Sequence, residues 1–239
     1  LKKYGRSYTV SGTLMKQSTL SASSSPKWSE PIIVLGKGVP AYSTKYGCLT
    51  YCVAGVGESS GWLRLYPLFA EQVIPSIQLI EKFDVIHVEY RQRRPEPTRP
   101  ESRKIYPESV EKVDHINDNN VRRKILHQYT EPGTFLHDNS WRGRKTLGMI
   151  QPFQPYFLAV QGIPKAKFQC CDSCGGHICE VGELKRFDSV GRVIPETASS
   201  QLEGRLNSLR RGQLRFVMGT DSRHPQRWLL ISIHVIGTN

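Results

Sequence analysis

The chain has 239 residues, of which 38% are hydrophobic, so it is long enough for one large or two small domains with a buried core. It carries 33 Lys and Arg against 21 Asp and Glu, which gives a formal net charge of +12. No apolar run approaches the roughly 20 residues that cross a bilayer. These properties argue against a membrane-spanning protein and favour a polyanionic partner, most often nucleic acid.

The first 30 residues are polar and rich in Ser, Thr and Lys. This composition predicts a basic arm that is partly disordered alone and that orders on a partner, for example a protein subunit. A secretory signal is not visible, and clustered cysteines without one indicate metal ligands or free thiols rather than disulfides. We therefore expect a cytoplasmic protein.

Residues 31–239 are predicted to form a single α+β domain, mainly antiparallel β, with a barrel-like core and small helical insertions. Alternating or buried apolar runs predict strands at 32–35, 48–54, 62–66, 83–90, 213–218 and 228–236. The last two form a hairpin that we expect to join the sheet begun by the first strands. Helical spacing predicts helices over 108–130, split near an Asn120 cap, and over 196–212. The sequence shows no internal repeat.

The predicted strand at 62–66 places Trp62, Arg64 and Tyr66 on one face. An arginine between two aromatic rings suits nucleic acid, because the rings stack on bases and the guanidinium contacts phosphate. The alternative is that the rings pack in the core and Arg64 makes a salt bridge.

A second basic feature is residues 91–104, where Pro95, Pro97 and Pro100 exclude a helix and predict an extended cationic strip. The alternative is an exposed linker that pairs with Glu96 and Glu101. The predicted phosphate-binding residues of this strip and of two later basic segments are Arg91, Arg93, Arg94, Arg99, Arg103, Lys104, Arg122, Arg123, Arg142 and Arg144.

The Cys-rich loop at 168–185 holds four of the six cysteines. Thiolates and imidazole at short spacing are zinc ligands, and the predicted set is Cys171, Cys174, His177 and Cys179. Four ligands within nine residues strain a tetrahedral site, and Cys48 or Cys52 from elsewhere in the fold would relieve that strain.

The same loop permits three other interpretations. Asp172 with Glu183 and Lys185 resembles the carboxylate and lysine set of a divalent-metal-dependent nuclease. A nucleophilic Cys174 with His177 as its base is a second possibility. The third is a structural role, in which the cysteines are small buried residues without a ligand.

Four short blocks in a fixed order resemble a family of uncharacterised bacterial and archaeal proteins. The blocks are W-L-R-L-Y-P at 62–67, where the family has W-(I/V)-R-L-Y-P, then R-P-E-S at 99–102, C-x-G-H at 174–177 and F-x-x-G-T at 216–220 followed by Trp228. The resemblance spans residues 33–236 and implies a shared fold but no activity. In this family the C-x-G-H block runs on into an Asp-Trp-Glu-like triplet, whereas this chain has Glu180 to Glu183 near that place.

These features predict a nucleic-acid-binding protein that contacts phosphates through its Arg and Lys strips, as a subunit of a larger nucleoprotein or defence-type assembly. The alternatives are a metal-dependent nuclease and a non-enzymatic adaptor whose basic face meets an acidic protein. The sequence contains neither a recognition helix nor an RNA-binding signature, so it favours neither DNA nor RNA.

Overall fold

The computed structural model describes residues 27–69, 80–92, 99–140, 145–161, 163–172, 174–181, 186–187, 193–194, 204, 206–209, 212–221, 224 and 227–236. Most of the predicted arm, residues 1–26, lies outside the described residues. No helix among the described residues has the length and apolarity that a membrane crossing requires.

The first half of the chain is rich in strands, as its alternating pattern predicts. The turn at residues 58–60 ends at Gly61, whose positive φ of 65° is a conformation that glycine adopts without strain. In chain order the strands are β1 (Trp28–Lys37), β2 (Ala41–Ser43), β3 (Cys48–Gly57), β4 (Gly61–Phe69), β5 (Asp84–Gln92), β6 (Ser102–Ile105) and β7 (Glu111–His115).

Five of these strands close into a barrel, which confirms the predicted fold class. The order around the barrel is β1-β3-β4-β6-β5, and β5 pairs with β1 to close it. The pairs are antiparallel except β4 with β6, which is parallel. Strand β7 extends from β5, and β2 adds to β3 outside the barrel. Counted in chain order, the five barrel strands are β1 (first), β3 (second), β4 (third), β5 (fourth) and β6 (fifth). Their order, with the third and fifth strands as parallel neighbours, is that of the OB-fold.

Among the described residues, the second half contains eight further strands in three small sheets. They are β8 (Leu147–Ile150), β9 (Phe153–Val160), β10 (Ile163–Gln169), β11 (His177–Glu180), β12 (Arg186–Phe187), β13 (Val193–Ile194), β14 (Leu214–Thr220) and β15 (Trp228–Val235). Strands β8 and β9 are separated by two residues and act as one bent strand.

The pairings of these strands repeat the order of the first barrel. Strand β10 pairs with β9 and with β11, and β14 pairs with β15 and with β8. A parallel bridge between Val181 and Leu230 joins the end of β11 to β15. If β8 and β9 are counted together as the first strand, then β10 is the second, β11 the third, β14 the fourth and β15 the fifth. The order of neighbours is then again first, second, third, fifth, fourth. The fold is thus built from two barrel-forming units, called barrel 1 and barrel 2 below.

Two helices connect the units. Helix α1 (Asn119–Gln128) begins after Asp118, whose carboxylate accepts hydrogen bonds from the backbone amides of Asn120 and Val121. Helix α2 (Phe135–Ser140) follows after a short link.

An apolar cluster fills the space between the barrels, and its residues come from both. Leu35, Ala54, Val56 and Phe83 come from barrel 1, Ile125 and Leu126 from α1, and Leu147, Met149 and Val217 from barrel 2. Each barrel also has its own core, one around Leu63 and Leu65 and the other around Phe157, Phe168 and Phe216. Burial of these side chains is the main stabilising contribution at about 25 cal/mol per Å² of apolar surface.

Two sequence predictions about elements need correction, and a third concerns residues that are mostly not described. The predicted helix over 108–130 exists only in its second half, because residues 111–115 pair with β5 as strand β7, and Asp118 rather than Asn120 caps α1. The terminal hairpin is correct in itself, but its partner is β8 of barrel 2 and not the sheet of the first strands. The predicted helix at 196–212 lies mostly outside the described residues.

Candidate metal centre and cationic surface

The turn between β10 and β11 brings three cysteines together. The backbone amide of Cys174 donates to the carbonyl of Cys171 at 3.3 Å, and that of Cys170 donates to the sulfur of Cys174 at 3.3 Å. Gly176 has a positive φ of 97°, which lets the chain reverse into β11. The three sulfurs therefore point into one small space.

A histidine from α2 completes this group. The imidazole of His137 and the sulfurs of Cys170, Cys171 and Cys174 have donor atoms that all lie within 4.8 Å of one another. We call these four residues the cysteine cluster. Its donors and its size allow it to hold a metal ion.

Helix α2 is fixed beside the turn by buried contacts. Phe135 and Leu136 are buried in the core of barrel 2, and the Trp228 indole donates to the Leu136 carbonyl at 3.2 Å. A Cβ at Gly133 would lie 2.7 Å from the Cys170 carbonyl oxygen, so the chain entering α2 runs directly against the cysteine turn. His137 is exposed and follows these anchored residues.

The surroundings of the three thiols differ. Burial alone would raise the pKa of Cys174, but hydrogen bonds from the Cys171 and Cys170 backbones and from the His137 side chain lower it to about 6. Burial and the neighbouring cysteines raise the pKa of Cys170 instead. At neutral pH Cys174 is the thiol in which these contacts favour the thiolate, the form that binds metal.

His177 touches the cysteine cluster from the side of β11. Its Nε2 lies 3.2 Å from the Cys170 sulfur, and its ring stacks on Phe168 with centroids 5.4 Å apart. Burial, followed by the charge of His137, lowers the pKa of His177. The ring is therefore favoured in its neutral form at this position.

Cys179, predicted as a ligand, points elsewhere. It is buried, its sulfur lies 3.5 Å from the Trp228 carbonyl, and burial raises its pKa to about 11. Of the predicted zinc set, the structure thus places Cys171 and Cys174 in the cysteine cluster and His177 beside it. It adds Cys170 and His137, and His137 lies too far along the sequence for ligand spacing to reveal it.

The predicted nuclease set is not assembled among the described residues. Asp172 is exposed in the cysteine turn, whereas Glu183 and Lys185 lie outside the described residues. The nuclease interpretation therefore stays a prediction.

A separate surface on barrel 1 combines cations with aromatic rings. Strand pairing places Tyr66 opposite Lys104, and Lys104 opposite Arg91, so the three side chains form one row across β4, β6 and β5. Directly opposed residues on adjacent strands project from the same side of the sheet. All three are partly exposed.

The loop between β2 and β3 extends this row. The Tyr46 ring lies 6.5 Å from the Tyr66 ring in an edge-to-face contact, and the Lys45 ammonium lies 5.4 Å from the Tyr46 ring centroid. We call Lys45, Tyr46, Tyr66, Arg91 and Lys104 the cationic–aromatic face. Arg91 lies opposite Lys104, so the row carries two cations on neighbouring strands.

Arg64 does not belong to this face, which corrects its predicted role. It is 5% exposed, and its guanidinium donates to the Thr146 carbonyl at 2.8 Å. The Glu101 carboxylate accepts from the Thr146 amide at 2.8 Å and from the Thr146 hydroxyl at 2.7 Å. Arg64 therefore ties barrel 1 to barrel 2 and is buried at their boundary. Trp62 is likewise engaged, edge-to-face with Tyr129 at 6.3 Å.

The remaining predicted arginines are dispersed. Arg99 donates to the Thr220 carbonyl at 2.7 Å and Arg103 donates to the Pro100 carbonyl at 2.7 Å, so both make internal hydrogen bonds. Arg123 is partly buried. Residues 93, 94, 142 and 144, which are also arginines, lie outside the described residues.

Arg122 is held by an internal network around a buried acid. Its guanidinium lies 2.8 Å from His115 Nε2, and His115 Nδ1 lies 2.6 Å from the Asp84 carboxylate. Burial would raise the pKa of Asp84, but hydrogen bonds from Lys112, the Glu81 backbone and His115 hold it below its ordinary value. This network joins α1 to β5 and β7 and competes with any phosphate for Arg122.

Comparison with known proteins gives a partial match. A family described as a domain of unknown function (DUF8758) matches residues 29–128, fewer than half of the chain, in the range that holds the first two sequence blocks. No curated protein matches the sequence.

Solved structures that resemble the chain do so weakly. The p204 HINb domain has a TM-score of 0.35 and 15% identity, over 89% of this chain and 97% of that one. A murine DNA-binding protein bound with double-stranded DNA has a TM-score of 0.36 and 10% identity, over 89% and 100%. The Ifi202 HINa domain in complex with 20-bp double-stranded DNA has a TM-score of 0.35 and 9% identity, over 87% and 92%. At these TM-scores the likeness supports neither a fold nor a function for this chain.

Proposed function

We propose that the protein binds nucleic acid through the cationic–aromatic face of barrel 1. The observation that carries the proposal is the row formed by Arg91, Lys104 and Tyr66, with Tyr46 against the end of the row. Cations that are held side by side on a sheet suit a regularly charged backbone, and the neighbouring rings offer stacking surfaces for bases. The net charge of +12 supports a polyanionic partner independently of any single residue.

The position of this face within the barrel agrees with the proposal by fold-level analogy. In barrels of the OB order, oligonucleotides bind over the second and third strands and the loops that border them. In barrel 1 the third strand carries Tyr66, and the loop between the first and second strands carries Lys45 and Tyr46. Since one fold can host many functions, this argument is weaker than the side-chain chemistry.

The salt dependence of oligonucleotide affinity tests the proposal. Each phosphate-binding side chain that is neutralised should lower the slope of log affinity against log salt by roughly 1. Arg91→Gln with Lys104→Gln should therefore weaken binding and lower the slope by roughly 2. Fluorescence anisotropy with labelled single-stranded and double-stranded DNA and RNA would give the affinity and the preferred nucleic acid.

A matched control removes the same charge elsewhere. Lys145→Gln with Lys167→Gln also removes two positive charges, but these residues lie outside the cationic–aromatic face. We expect this control to retain most of the affinity and the slope. Equal losses in both double variants would show that binding depends on net charge alone and would contradict the proposed face.

We also propose that the chain works as one subunit of a larger nucleoprotein assembly, with residues 1–30 as a contact to other subunits. The support is the polar, basic composition of that segment. Deletion of residues 1–26 should release co-purifying subunits while oligonucleotide affinity persists. A deletion variant that keeps the same partners would contradict this role.

For the cysteine cluster we infer that the metal is zinc. Three thiolates and an imidazole are the soft and borderline donors that zinc takes in structural sites, whereas calcium and magnesium require oxygen ligands. Elemental analysis of the purified protein for zinc, iron and copper tests the metal directly. Iron or copper in place of zinc would contradict this assignment.

A further inference from the structure

We propose that the cysteine cluster is a closed four-coordinate site that fastens α2 to the turn between β10 and β11. The ligands are the imidazole of His137 and the sulfurs of Cys170, Cys171 and Cys174. This inference rests on the zinc assignment above, but it does not depend on nucleic-acid binding. It assigns the metal a structural role in barrel 2.

The distances suit a tetrahedral ion. Zinc–sulfur bonds of about 2.3 Å at the tetrahedral angle place two sulfurs about 3.8 Å apart. The sulfurs of Cys170 and Cys171 are 4.0 Å apart, and all four donor atoms lie within 4.8 Å. A disulfide would need about 2.05 Å, and all six cysteines of the chain are free. Closing the group around an ion therefore takes movements of less than about 1 Å.

The site is held from two sides by ordered elements. On one side, Phe135 and Leu136 anchor α2 in the core of barrel 2. On the other, the cysteine turn continues into β10 and β11, which pair antiparallel between Lys165 and Glu180. An ion at this position would therefore link two elements that already lie side by side.

His177 lies outside the ligand set and acts on it through Cys170. Its Nε2 is within 3.2 Å of the Cys170 sulfur, yet it is not among the four donors that lie within 4.8 Å of one another. A ring N–H that donates to a coordinated sulfur orients that ligand. We assign His177 as a positioning residue, so all four coordination positions are protein ligands and none is open to substrate, as in structural zinc sites.

Zinc would supply stability that α2 lacks on its own. The helix has six residues, and isolated helices shorter than about 12 residues are marginal in water. Its contacts to barrel 2 include two buried side chains, the hydrogen bond from Trp228 to the Leu136 carbonyl and the contact of the His137 and His177 rings. Metal removal is therefore expected to loosen α2 and the cysteine turn, while barrel 1 keeps its fold.

Metal content and cobalt substitution test the site in the full chain. The wild-type protein should retain one zinc per chain after dialysis against a weak chelator. Replacement by cobalt should give visible bands of a tetrahedral ion and near-ultraviolet charge transfer whose intensity reports three thiolates. Octahedral cobalt, or fewer than three thiolates, would contradict the ligand set.

Variants of the exposed and partly exposed ligands avoid the risk of unfolding the core. His137→Gln and Cys171→Ser should each lose the bound zinc, and His137→Cys should restore it with a fourth thiolate in the cobalt spectrum. His177→Gln should keep one site with three thiolates but weaken its affinity about 10- to 100-fold. Cys48→Ser, at a free thiol in barrel 1, is the matched control and should leave zinc content unchanged.

The inference would be overturned by a wild-type protein without stoichiometric metal, or by full zinc affinity in Cys171→Ser. Oligonucleotide affinity of the same samples separates the two proposals. A protein that binds oligonucleotide but holds no zinc contradicts only the metal site. A protein that holds zinc but binds no oligonucleotide contradicts only the proposed function.

Discussion

Arg64 and Arg91 lie on neighbouring parts of barrel 1 and should respond to substitution in opposite ways. Arg64 is buried and bonded to Thr146 across the boundary between the barrels, whereas Arg91 is partly exposed in the cationic–aromatic face. Arg64→Met keeps most of the aliphatic stem and removes the guanidinium. Arg91→Met makes the same chemical change at the surface.

The cost of Arg64→Met follows from the hydrogen bonds that it removes. The bond from the guanidinium to the Thr146 carbonyl is charge-assisted, at 2.8 Å, and such bonds contribute about 1.5–3 kcal/mol. The approach to the Thr146 hydroxyl, at 3.5 Å, is at the limit of a hydrogen bond and adds little. We expect Arg64→Met to lower the free energy of unfolding by about 2–3 kcal/mol. Arg91→Met should change it by less than about 0.5 kcal/mol, as surface substitutions do.

Urea denaturation followed by tryptophan fluorescence measures the stability, and anisotropy below the denaturation midpoint measures oligonucleotide affinity. Under conditions in which it is folded, Arg64→Met should bind oligonucleotide as tightly as the wild type. Arg91→Met should bind oligonucleotide more weakly, with a shallower dependence of affinity on salt. A stable Arg64→Met with reduced affinity would show that this guanidinium contacts nucleic acid. That result would refute the reasoning from burial.

Three further predictions concern stability. Burial, and then the charge of Lys82, lowers the pKa of His234 to about 4. As the pH drops from 6.5 towards 4, the unfolded chain therefore binds a proton that the folded chain does not, and the free energy of unfolding should fall by up to about 3 kcal/mol. Denaturation across this range should show a weaker dependence of the free energy of unfolding on pH for His234→Gln. Gly55→Ala should lower the free energy of unfolding by about 1–3 kcal/mol, because the added Cβ would lie 2.7 Å from Ile32 Cγ2 and 2.9 Å from the Ile33 carbonyl oxygen. Thermal unfolding measures this change, and an unchanged unfolding midpoint would show that β1 shifts freely. Residues 31–239 should unfold in one transition seen alike by fluorescence and circular dichroism, because the apolar cluster between the barrels takes side chains from both; two separated transitions would divide the chain into independent domains.

The strands could be predicted from the sequence because each carries its own pattern. The alternation in residues 83–90 corresponds to β5, and the apolar runs near the end correspond to β14 and β15. A barrel-like core was predicted, but not which strands close it, because closure depends on β1 pairing with β5 across about 50 residues of chain and local patterns do not specify distant partners. The same limit explains the false helix at residues 111–115, where pairing with β5 overrode a helix-like spacing.

The candidate sites were only partly predictable for a related reason. Spacing along the chain identified Cys171 and Cys174, since one turn links them, but the imidazole of the cluster comes from His137, more than 30 residues earlier. Their charge made Arg64 and Arg91 equally good candidates for phosphate-binding residues. Only the fold separates them, because β4 directs Arg64 towards Thr146, whereas Arg91 lies in the row with Lys104.

The two barrels share a strand order that the sequence did not reveal as a repeat, and they stabilise the corresponding turn by different chemistry. In barrel 1 the turn between the second and third strands is bound by Glu30, whose carboxylate accepts hydrogen bonds from the Ser59 amide at 3.0 Å and the Tyr90 hydroxyl at 2.9 Å. In barrel 2 the corresponding turn carries the cysteines, and the residue that reaches it from outside the turn is His137. The proposed metal ion would link three thiols of this turn to that imidazole, whereas barrel 1 uses a carboxylate at the corresponding place.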